Sequence, residues 1–209
     1  MKCENNFFSM KGLCYTSDGT DYTQLVADEL GLTINGETPA RLDKEKAAQY
    51  KKQAMEELTA LGVTFPVSCD FYIPASNQVS LDSANVLKDI FSECLGDDYV
   101  VLNIKTYVSK PTSEVIEPQL HSITGNGWGA DYGDPVNYLG QMTYGSEQAY
   151  YSESYTNINQ LTEETPENKA LLDTYKEYTE MVTAADAIVD DMDARYKAYA
   201  KAEAYMIDH

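Results

Sequence analysis

Cationic residues are scarce in this chain: 15 lysines and arginines face 34 aspartates and glutamates, a formal charge of −19 over 209 residues. Nucleic acid is excluded as a partner on that ground, because phosphate contacts need clustered Lys and Arg. An anionic membrane surface is disfavoured for the same reason. No run of about 18 apolar residues exists, so no membrane-spanning helix is predicted. The opening "MKCENNFF" lacks the apolar stretch that precedes a leader cleavage or lipid-attachment cysteine, so Cys3 is not expected to be an anchor. Cys3, Cys14, Cys69 and Cys94 form no CxxC and no Cys/His spacing that zinc requires, and no metal or other cofactor is expected. Cys69 and Cys94 read as small core residues; whether Cys3 and Cys14 pair is open. Imidazole is scarce too, with His121 and His209 alone. Without GxSxG, GxGxxG or a phosphate-loop lysine, neither nucleophilic catalysis nor phosphate binding finds its residues.

What is present is a globular composition, 43% hydrophobic and 23% charged, with 17 tyrosines against 5 phenylalanines. Tyrosine supplies apolar area with a hydrogen-bonding end, useful in half-buried packing and in ligand clefts. The strong acidity suits a solvated, exported surface and attracts cationic ligands at long range. Residues 1–40 carry turn residues and read as an irregular lead-in. "LDKEKAAQYKKQAMEELTALG" predicts a helix capped by Asp43, with Ala47, Tyr50, Ala54, Leu58 and Leu61 as its apolar stripe and Gly62 as its stop. "VTFPVSCDFYI" alternates from Val63 to Ile73 as a strand, Pro66 arguing for an edge position or a late start to pairing. A helix over 76–95 follows, with Val79, Val86, Leu87, Ile90, Phe91 and Cys94 expected inward. "YVVLNIKTYV" predicts a second strand and "HSITGNGW" a weaker third. That order favours an α/β layer with a crossover. Beyond Gly145 the sequence is polar and reads as surface loop, until helices over 165–209 begin at the Thr165-Pro166 signal.

The stretch "GNGWGADYGDPVNYL" holds the sole tryptophan of the chain among glycines. Glycine there allows close backbone approach, Trp128 offers a flat apolar wall, and Asp131 offers a charge to an ammonium group. Asp134 before Pro135 reads as the cap of a short helix. Taken as a catalytic pair, Asp131 and Asp134 would make a carbohydrate-active enzyme, but their separation depends on the turn between them. A binding site explains the residues better: an extended peptide held through its backbone and its N-terminal ammonium. A pure interaction module is a further alternative.

At these residues the chain resembles the extracytoplasmic solute-binding proteins of oligopeptide ABC transporters. "GWGADYGDPVNYL" is the most specific part. "SDGTDYTQLVADELG", the "LDKEKAAQYKKQAMEEL" helix and "DARYKAYAKAEAYMIDH" agree with it in order across most of residues 7 to 209. The resemblance implies an α/β, periplasmic-binding-protein-like lobe of type II, a mixed sheet flanked by helices, and thus a single lobe over 1–209, the second, C-terminal lobe of a two-lobed protein. It implies a monomeric, non-enzymatic carrier of oligopeptides that delivers its ligand to ABC permease subunits from outside the cytoplasm. Its leader and lipid anchor are then expected to lie outside this sequence. Family positions carry over to Asp131, which would pair with the peptide ammonium, and to Trp128, which would line the cleft. Gly129 and Ala130 between them would present backbone groups. The same scaffold also carries sugars and nickel complexes, which stay open as ligands.

Overall fold

Residues 67–74 and 100–107 form the sheet of the computed structural model, which describes residues 12–31, 44–125 and 128–209. Strand β1 (Val67–Pro74) pairs in parallel with β2 (Val100–Tyr107), from Val67 opposite Val100 to Pro74 opposite Tyr107. Parallel neighbours need a crossover, and helix α3 (Gln78–Leu95) provides it, packing on both strands. Val63 and Phe65, expected in β1, precede it: pairing starts directly after Pro66, which has no N–H to give to a ladder. Among the described residues the sheet consists of this parallel pair. The expected third strand contributes one bridge, Ile123 beside Phe71, with the Ser122 and Ile123 amides both donating to the Asp70 carbonyl.

Asn77 caps α3 by accepting from the Ser80 amide at 3.1 Å, and Gly96 ends it at a φ of 76° that suits glycine. Its inward stripe runs through buried Ala84 and half-buried Leu87, Phe91 and Cys94. Val79 and Val86, expected inward, are 74% and 58% exposed. They lie two turns apart on one line, about 200° around the helix from buried Ala84.

Helix α2 (Lys44–Ala60) lies against α3. Its half-buried face is Ala47, Lys51, Ala54, Met55 and Leu58, while Tyr50 and Leu61 of the expected stripe are exposed. The Lys51 stem covers apolar surface and its ammonium meets Asp98 at 2.7 Å. The Asp43 cap, like Cys3, lies outside the described residues.

These elements form one of two compact units, Leu42–Gly127; the other joins Met1–Arg41 to Trp128–His209. The second unit is helical. Helix α1 (Tyr22–Glu29) falls inside the lead-in expected to be irregular, because Asp21 caps it within turn-like sequence, accepting from the Thr23 amide at 2.9 Å. It packs on α7 (Met192–Asp208), as does α6 (Pro166–Asp186). Thr165 and Asp191 cap these two helices, accepting from the Asn168 and Ala194 amides. Tyr22, Val26, Tyr178, Val182 and Tyr199 form the core around Ala200, Ala202 and Ala204, whose small side chains admit close helix contact. Glu203 is fully buried there and accepts from the Tyr22 hydroxyl at 3.0 Å.

Candidate functional site

The Asp-Pro signal starts a single helical turn, α4 (Val136–Leu139), in the helical unit. Asp134 Oδ1 accepts from the Val136 amide at 3.0 Å and its carbonyl from the Asn137 amide at 3.1 Å, the capping role read from the sequence. Val136 and Leu139 enter the core from this turn. That leaves buried Asn137 facing back to the preceding loop. Its Oδ1 accepts two hydrogen bonds, from Trp128 Nε1 at 2.9 Å and from the Asp131 amide at 3.1 Å.

Asp134 has a second task. Arg195 of α7 grips its carboxylate with Nε and an Nη at 2.9 and 3.1 Å, a two-pronged geometry that fixes direction as well as distance. The same guanidinium donates to Asp186 Oδ1 at 2.7 Å and to the Asp186 and Ile188 carbonyls at the end of α6. The Tyr199 hydroxyl completes the network, accepting from Arg195 and donating to Asp186. Burial opposes the Arg195 charge, but hydrogen bonds to Asp134 and Asp186 prevail and hold its pKa above the ordinary value. The loop before α4 is thus anchored to both long helices.

Aromatic rings surround the indole. Trp128 lies 6.2 Å from Tyr150 and 6.1 Å, edge-on, from Tyr151; Tyr155 lies 5.0 Å from Tyr151. These tyrosines come from α5 (Tyr151–Tyr155) and the residue before it, inside the segment expected to be polar surface loop. Burial raises the Tyr151 phenol, whereas Tyr150 and Trp128 stay exposed at 43% and 36%.

Trp128 and Asp131 of the sequence-derived site are therefore tied together around Asn137. Asp131 is exposed, and its carboxylate has no hydrogen-bond partner among the described residues. Gly129 faces open space where a Cβ would meet nothing within 4 Å, and Ala130 is half-buried between the two. Asp134 is taken up by Arg195 and the α4 amides, the structural role expected of it. Among the described residues, no group of three or more His, Cys, Asp or Glu is placed to hold a metal ion. Asn137 stood within the quoted motif, but its burial depends on which way a four-residue helix turns. Arg195 and the tyrosines join the site through contacts distant in sequence that local patterns do not carry.

No family model matches the chain. Among curated proteins it is similar to the oligopeptide-binding protein AliB of Streptococcus pneumoniae serotype 4, 26% identical over 219 residues, covering 97% of this chain and 31% of AliB. It is also similar to the oligopeptide-binding protein SarA of Streptococcus gordonii, 26% identical, covering 92% of this chain and 30% of SarA. In solved structures its fold matches the substrate-binding domain of an oligopeptide ABC transporter from Bacillus anthracis, with a TM-score of 0.64 and 23% identity over 92% of this chain and 30% of that one. A peptide-binding protein of a peptide ABC transporter aligns at a TM-score of 0.61 and 19% identity, over 94% of this chain and 71% of that one. The fold is that of the periplasmic-binding-protein-like peptide-binding proteins, and the resemblance read from the tryptophan-aspartate run holds. The chain spans under a third of the length of the curated relatives it matches.

Proposed function

We propose that this chain supplies one lobe of the substrate-binding component of an oligopeptide ABC importer, outside the cytoplasm. The observation that carries this reading is exposed Asp131, whose backbone amide donates to the same buried oxygen as a half-exposed indole. A peptide's α-ammonium meets Asp131 in a charge-assisted hydrogen bond, and its first residues lie along Trp128. Gly129 leaves room for the peptide backbone to approach. The strongly acidic surface favours approach of the cationic peptide end. Closure against a second lobe would bury the charge pair and strengthen it. The closed protein hands its peptide to permease subunits in the membrane, and the carrier itself is an anchored lipoprotein monomer that transforms nothing. Calorimetry of the full-length protein with short peptides tests this, with binding expected; affinity for a sugar or a nickel complex and none for peptides would contradict it.

A further inference from the structure

We propose that Asn137 is the positioning residue of this site: its one side-chain oxygen holds the Trp128 indole and the Asp131 backbone as a single rigid pair. The proposal rests on the peptide-binding reading for its functional meaning, and on geometry for its substance. An amide oxygen has two lone pairs, and here both are used, by Trp128 Nε1 at 2.9 Å and the Asp131 amide at 3.1 Å. Because both donors converge on one atom, the spacing between the indole N–H and the Asp131 backbone, from which its carboxylate projects, follows from the geometry of that acceptor. Asn137 is 7% exposed, and α4 is held in turn by the Asp134 cap and Arg195, so the acceptor cannot drift. The indole N–H is spent internally. Trp128 therefore offers a ligand its ring and no donor, so that this wall selects apolar or cationic groups over hydrogen-bond acceptors.

The ligand-free chain gives a direct readout, because its sole tryptophan yields one indole N–H resonance. In the wild type that proton is expected to be protected from solvent exchange together with the Asp131 amide. Asn137→Leu keeps the bulk but removes the acceptor, and is expected to speed exchange at both protons by about tenfold or more. Asn137→Asp keeps an acceptor in place and is expected to stay within about threefold of wild type. Fast indole exchange in the wild type would overturn the assignment even if neither variant folded. So would a folded Asn137→Leu that exchanges like wild type, or an Asn137→Asp that behaves like Asn137→Leu. In the full-length protein, Asn137→Leu is expected to weaken peptide binding about tenfold, with Asn137→Asp restoring it. Failure of the wild type to bind any peptide would sink the peptide reading alone, while the exchange data would still decide the role of Asn137.

Discussion

Asp131 and Asp134 occupy one turn and have opposite surroundings. Asp134 caps α4 and takes both prongs of Arg195, whereas Asp131 faces solvent. The capping role was legible in the sequence because Asp-Pro is a local signal acting over two residues. The Arg195 pair was not, since it joins positions 61 apart and no spacing rule reaches that far. Removing one partner of a buried pair leaves the other charge uncompensated. Arg195→Met is therefore expected to destabilise the chain by about 3–5 kcal/mol, seen as a lower urea midpoint, since it also releases the carbonyls at the end of α6. A loss under about 1 kcal/mol, the size of a surface pair, would show that the network contributes little.

Helices and strands were legible where their ends carry local chemistry. Thr165 marks a real helix start and Pro66 the start of pairing, both read from the sequence, whereas the caps Asn77 and Asp191 are not singled out there. Faces were less legible. Helix α3 carries apolar residues on more than one side, and periodicity does not say which side meets the sheet. Burial does: Ala84 is buried, with Val86 exposed on the opposite side of the helix. The polar segment after Gly145 misled for a related reason: its tyrosines pack around an indole that sequence places about 20 positions earlier. Two substitutions separate the faces. Leu102→Ala in β2, at a site 2% exposed, is expected to cost about 2–5 kcal/mol. Val86→Ala is expected to stay within about 0.5 kcal/mol of wild type, and equal losses in chemical denaturation would contradict the orientation of α3.

At the scale of the whole chain, tyrosine burial sets a limit on alkaline stability. Burial raises the phenols of Tyr22 and Tyr178 well above their ordinary value of 10.0, and that of Tyr196 to about 12. A raised folded pKa means the native state keeps protons that the unfolded chain releases. The stability linked to Tyr196 is then complete below about pH 10 and lost as pH rises through about 12, while that linked to Tyr22 and Tyr178 is complete below about pH 10 and declines at more alkaline pH. Denaturation midpoints are expected to fall across that interval, in step with tyrosinate absorbance; a flat profile would contradict the packing of the helical core.

The same scale holds the functional proposal, since the curated relatives are oligopeptide-binding proteins while the proposed grip on a ligand rests on one carboxylate, Asp131. Its most direct test is a calorimetric cycle on the full-length protein, wild type and Asp131→Asn, each with a free peptide and its N-acetylated form. Acetylation is expected to weaken wild-type binding by about tenfold to a hundredfold, the worth of a charge-assisted hydrogen bond. In Asp131→Asn the two forms are expected to bind alike, because the charge that tells them apart is gone. An acetylation penalty of equal size in both proteins would place the ammonium elsewhere and contradict the assignment of Asp131.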